Sequence, residues 1–163
     1  MDELDKLILQ TLQQDGRIPF TRIAKQAGVS ETTIRRRYGQ LVEAGIVRTV
    51  GIVDPHAIGF QAPAIIGVSV EPGMIDQVAR AIAEFPEVSY LVMTLGTFDL
   101  VVEVFCRDLP HITDLLTQRM YLLPGVRSTE TLTIAKSYKL TYRWSPALDL
   151  EPDSRVRTRT VQP

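Results

Sequence analysis

The chain has 163 residues, 45% of them hydrophobic and 23% charged, with a formal net charge of −1. That length suits one large domain or two small ones and is enough to bury a core. The charge excludes a general polycation, so any contact with nucleic acid needs a local basic patch.

The opening MDELDKLILQ is acidic and amphipathic, without a basic leader or a long apolar run, and predicts no signal peptide. Asp2 is placed to cap a helix whose Leu4, Leu7, Ile8 and Leu12 form one apolar stripe, ended by Asp15-Gly16. A second helix is expected from about Thr21, burying Ile23, Ala24 and Ala27 and stopping at Gly28. Ser30 suits the N-cap of a third helix that runs to about Ala44, with Gly45 as its stop. Residues 46–53 are rich in β-branched side chains and predict a strand or small wing.

The second and third helices have the makings of a helix-turn-helix. Ala24 is small where two helices would cross, Gly28 supplies the turn, and Val29 and Ile34 are the apolar anchors beneath the following helix. That third helix carries Arg35, Arg36 and Arg37 in succession. Neighbours on a helix are about 100° apart, so the three cannot share one surface. Ile34, Tyr38, Leu41 and Val42 are expected to face inward, with Arg37 at the edge of that stripe, snorkelling or paired internally. Arg35 and Arg36 are expected outward, beside Ser30, Glu31 and Thr32, and these five residues form the candidate DNA face. Such a helix enters the major groove, arginine donates two bonds to guanine or binds phosphate, and the hydroxyls of Ser30 and Thr32 suit phosphate oxygens. The competing possibility is a solvated surface helix. Gly39, in mid-helix, has no evident reason beyond close backbone approach or bending.

Pro55, Gly59 and Pro63 mark a change of character. Residues 1–60 hold 8 Lys and Arg against 7 Asp and Glu, whereas residues 61–150 hold 7 against 10, so the cationic cluster lies in the first part. Strands are expected at PAIIGVSV, VSYLVMTL, DLVVEVFC and VRSTETLTIAK, and helices at MIDQVARAIAEF and LPHITDLLTQRMYLL. The order β-α-β-β-α-β is the ferredoxin-like arrangement, with both helices on one sheet face. The strands are apolar on both faces, so the open face is expected to pack against another subunit. The resulting α+β architecture divides into a winged helix-turn-helix domain over residues 1–53, a linker over 54–62, a ferredoxin-like domain over 63–145 and a flexible tail over 146–163.

An enzyme is not indicated. The chain has two histidines, His56 and His111, and no HExxH, CxxC, phosphate-binding loop or GxGxxG; Asp99 and Glu103, four apart, are a weak pair. No metal ligand set or cofactor is expected. The single cysteine, Cys106, sits in an apolar strand, rules out an internal disulfide and suits a reducing cytoplasm. No stretch reaches the roughly 18 apolar residues of a membrane helix.

In combination, LDKLILQTLQQDGR, SETTIRRRYGQLVEAGIV, VDPHAIGF, GTFD and LPGVRSTETLTIAK resemble the Lrp/AsnC family of transcription regulators, in order over about residues 1–140. Gly39 and Gln40 depart from the family pattern, which often has a basic residue there. The resemblance implies double-stranded DNA as a partner, a homodimer joined sheet to sheet, tetramers of such dimers, and a small amino-acid-like effector. It implies an effector pocket around Gly96, Thr97, Phe98 and Asp99, with Thr129 and Glu130 contributing. Read as chemistry, Gly96 exposes backbone N–H groups to a carboxylate and Asp99 meets an α-ammonium; alternatively the two merely build a tight hairpin. A metabolite-binding module that has lost DNA binding is the other function open to such a chain.

Overall fold

In a computed structural model that describes residues 1–139, the chain forms two compact units, residues 1–52 and residues 53–139. The expected tail and the last residues of the expected second domain lie outside the described residues.

The first unit is built by its caps. Asp2 accepts from the Asp5 N–H (3.0 Å), and Asp5 accepts in return from the Asp2 N–H (3.1 Å), a reciprocal box that starts helix α1, Glu3–Gln14. Helix α2, Phe20–Ala27, ends at Gly28, whose φ of 68° is left-handed and suits a residue without Cβ. Three residues later α3, Glu31–Glu43, begins behind the Ser30 cap. The core joins Ile8, Leu9, Ile23, Ala24, Ile34 and Leu41, with Leu4, Leu12, Phe20 and Tyr38 packed around it.

Three inward expectations change here. Leu9 is buried in this core, while Leu7 is only half-buried and outside the cluster. Val42 is 44% exposed, because the stripe on α3 has turned away from the two partner helices by that position. Val29 is exposed as well, so Ile34 alone anchors α3 beneath the turn.

Residues 46–53 form no strand. A strand must pair its N–H and C=O groups, and no described segment offers them a ladder. The stretch is held by Val47, packed on the core, and by hydroxyls of Tyr38 and Thr49 3.1 Å apart. Ile46, Val50, Ile52 and Val53 remain exposed.

The second unit starts with a short 3-10 turn, His56–Ile58, and the Gln61 N–H donates to the Arg107 carbonyl. Strands β1 (Ala62–Val70), β2 (Val88–Met93), β3 (Leu100–Cys106) and β4 (Val126–Thr133) form one antiparallel sheet in the order β2-β3-β1-β4. Helices α4 (Ile75–Ala83) and α5 (Leu109–Gln118) lie between strands in sequence, which gives the ferredoxin-like topology. Period-two alternation sends Ala64, Ile66, Val68, Leu100, Val102 and Val104 into a core with Val78, Ile82, Ile112 and Leu115 of the helices. Cys106 is part of this core, and burial first, then the Glu87 and Asp108 charges, push its thiol up to about 11. It is a packing residue, not a nucleophile.

The opposite face is read from the register. Leu132, Ile65, Glu103 and Tyr90 form one row across the sheet, and Glu130, Gly67, Val101 and Val92 the next. No described helix covers this face, and Ile65, Tyr90 and Leu132 are exposed.

Candidate nucleic-acid interface and effector turn

Helix α3 presents its first turn through local chemistry. Ser30 Oγ accepts from the Thr33 N–H (3.1 Å) and lies 2.8 Å from the Thr33 hydroxyl. Its oxygen is therefore engaged in capping. Thr32 is exposed beside it.

The three arginines divide as helical spacing requires. Arg37 turns inward, donating from Nη2 to Asp2 (2.6 Å) and from Nη1 to Asp5 (3.5 Å), so it locks α3 to the start of α1. The Asp5 N–H first, then Arg37, hold the Asp2 carboxyl below its ordinary range. Arg35 donates from Nε to Glu31 Oε1 (2.7 Å) and lies over the Phe20 ring, 5.3 Å from its centroid. Arg36 is exposed and has no hydrogen bond, ion pair or ring contact among the described residues. All five residues expected on the DNA face thus occupy the first turns of one helix, but in different states. The Glu31–Arg35 pairing went unread, although an acid four residues ahead of a base on a helix is its ordinary signature.

The turn between β2 and β3 runs from Thr94 to Asp99. The Thr94 N–H donates to the Asp99 carbonyl (2.9 Å), and the Thr94 hydroxyl donates to the Phe98 carbonyl. Gly96 and Thr97 are exposed at its tip. Gly96 has no positive φ, and nothing lies within 4 Å of the place a Cβ would take, so this backbone does not require glycine. Asp99 is partly spent on structure. Its Oδ2 accepts from the Val70 N–H (2.7 Å), at the end of the β1–β3 pairing, with Arg127 3.8 Å away. Glu103, its possible partner, instead accepts from the Ser89 hydroxyl (2.6 Å).

Phe98 and Glu130 come together around Gly67. A Cβ on Gly67 would lie 2.4 Å from the Phe98 ring, and Glu130 is the register partner of Gly67. Thr129 points the other way, toward the helices, donating to Tyr121 Oη at 3.4 Å. Gly67 carries no signal in the sequence, because the contact that demands it comes from a side chain 31 positions later.

A third cluster, also unread, lies where α5 meets β2. Glu87 accepts two bonds from Arg119 Nη1 (both 2.9 Å) and lies 3.1 Å from His111 Nε2. The Arg107 N–H donates to His111 Nδ1, which leaves Nε2 as the protonated nitrogen that donates to Glu87. Burial raises the Glu87 carboxyl, but hydrogen bonds from its own N–H, His111 and Arg119 outweigh it and leave it below its ordinary value. Among the described residues, no group of His, Cys, Asp and Glu is arranged to hold a metal, and no helix is long and apolar enough to cross a membrane.

Comparison with known proteins agrees with both units. Residues 1–42 match the AsnC-type helix-turn-helix domain, and residues 63–144 match the Lrp/AsnC ligand binding domain. FL11, an HTH-type transcriptional regulator of Pyrococcus horikoshii, is 34% identical over 142 residues, 86% of this chain and 93% of its own. Among solved structures, E. coli AsnC superposes with a TM-score of 0.78 at 27% identity, covering 86% of this chain and 95% of that one. A transcriptional regulator from Neisseria meningitidis, solved as a complex with L-Met, gives 0.80 at 25% identity, with 89% and 96% covered. With the two domains matched in order and relatives alike over most of its length, the chain belongs to the Lrp/AsnC family, a transcriptional regulator with a DNA-binding helix-turn-helix and a ligand-binding domain, and not an enzyme.

Proposed function

We propose that this regulator holds a specific duplex through the first turns of α3, using Ser30, Glu31, Thr32, Arg35 and Arg36, and that a small amino acid or related metabolite tunes the binding. The division of labour follows the chain: residues 1–53 bind DNA, 54–62 link, and 63–145 bind effector and assemble copies. One observation carries the reading. Arg36 stands exposed and without a partner among the described residues, on a helix whose third arginine is engaged in ion pairs within the head. A cation left unspent on the solvent side of α3 suits phosphate.

The effector is assigned to the turn Gly96, Thr97, Phe98 and Asp99 with Glu130, and a complex of a relative with L-Met supports an amino acid as its class. A second copy is assigned to the open sheet face, giving a two-fold dimer that matches a palindromic operator. Larger assemblies of such dimers then respond to effector, which acts only insofar as it binds one state better than another.

The test is duplex affinity against salt. Wild-type binding is expected to weaken steeply with salt, and Arg35→Ala/Arg36→Ala to flatten the log–log slope by roughly 1–2. Absence of duplex binding by the wild type would leave an assembly module without a DNA role, and binding indifferent to the double substitution would remove α3 as the reading head.

A further inference from the structure

Two neighbouring arginines share the proposed reading head, and the fold treats them differently. Glu31 and Arg35 are one turn apart on α3. A single oxygen, Glu31 Oε1, meets both Arg35 Nε and Nη2. Those donors lie along one edge of the guanidinium, so the carboxylate fixes its plane as well as its position. The Phe20 ring lies against the group, and Phe20 is itself set by Tyr38, with ring centroids 5.1 Å apart. Yet the Arg35 side chain is 65% exposed, and no described residue engages Nη1. The fork formed by Nη1 and Nη2 is left for an outside acceptor. Arg36 has neither brace nor partner among the described residues.

Resting on the DNA-binding reading of α3, we infer that Arg35 is a pre-oriented base reader, that Arg36 is a phosphate contact, and that Glu31 is a positioning residue acting through Arg35. The chemistry of the two targets separates the roles. Guanine O6 and N7 demand two donors in one plane at a fixed spacing, which a braced guanidinium supplies. A phosphate accepts from many directions and rewards charge more than geometry. Glu31 also repels the DNA backbone, so its removal has two opposed effects. Attraction to every duplex rises, while the aim of Arg35 is lost. An ordinary surface ion pair, by contrast, affects all sequences alike.

The experiment first selects a preferred duplex from a randomised library with the full-length wild-type protein. Affinities for that duplex and a scrambled one are then measured for wild type, Glu31→Ala, Glu31→Gln, Arg35→Lys and Arg36→Ala. All four substitutions are on the exposed side of α3, and melting curves check that each variant is folded. Glu31→Ala and Arg35→Lys are expected to lose about tenfold in discrimination between the two duplexes. Scrambled-duplex affinity is expected to hold or rise in Glu31→Ala. Glu31→Gln retains an acceptor for Nε and is expected to keep most of the discrimination. Arg36→Ala is expected to weaken both duplexes alike and to flatten the salt slope by about 1. Unchanged discrimination in Glu31→Ala, or Glu31→Gln discriminating no better than Glu31→Ala, overturns the inference while leaving DNA binding standing. Failure of the wild type to prefer any duplex overturns both.

Discussion

Gly39 lies in the middle of α3 without a positive φ, and nothing is within 4 Å of where its Cβ would stand. Close approach inside the head, one of the two reasons its sequence position suggested, is therefore absent among the described residues. Glycine in a helix interior costs about 1 kcal/mol relative to alanine. Gly39→Ala is expected to raise the unfolding free energy of the head by about that much, read by denaturant titration. An unchanged or lowered stability would mean that the helix needs the missing side chain. Residues whose fate depends on angle alone were readable: Arg37, three positions after Ile34, does fall at the edge of the buried stripe and finds Asp2 and Asp5. Angle alone fails where it is symmetric. Leu7 and Leu9 lie about 100° to either side of Ile8, so spacing does not choose between them, and packing against α2 and α3 does. Val42, about 80° from Ile34, lies too far round for a three-helix core to cover.

At the scale of elements, caps were legible because they are local. Asp2, Gly28 and Ser30 act within four residues of themselves. The stretch 46–53 was misread because β-branching marks a residue that fits a sheet but supplies no neighbour to pair with. The β2–β3 turn falls where it was expected, but the part of Gly96 in it was misread: closure comes from Thr94 and Asp99 at the ends, not from the glycine between them. Helix α5 shows how distant groups join in. Asp108 caps it, and His111 and Arg119, one near each end, both converge on Glu87 ahead of β2. Because the Glu87 carboxyl is lowered in the folded state, its contribution is complete above the ordinary carboxylate range and is lost as pH falls through the folded value. Glu87→Gln is expected to cost roughly 1–3 kcal/mol near neutral pH, and the gap from wild type is expected to close in acid. Isothermal denaturation at several pH values checks this; a gap independent of pH would show that the charge contributes nothing.

Across the whole chain, the order of elements was legible because each has its own period, 3.6 before residue 44 and mostly 2 in the later strands. The uncovered sheet face was legible too, since strands apolar on both sides announce it. Two of its exposed residues, Ile65 and Leu132, are register partners on neighbouring strands. If a second copy covers this face, Ile65→Asp/Leu132→Asp is expected to sediment as a smaller species than wild type, with the helical head intact by circular dichroism. An unaltered sedimentation coefficient would place the subunit contact elsewhere. What the sequence concealed was contact across long separations, and Gly67 is its clearest case. The Phe98 ring occupies the space of a methyl group on Gly67, in mid-strand of β1. The 94–99 turn is therefore not a portable cassette. A designer who moves this turn onto another scaffold must bring along a bare α-carbon on a different strand, or the aromatic will be evicted from its berth.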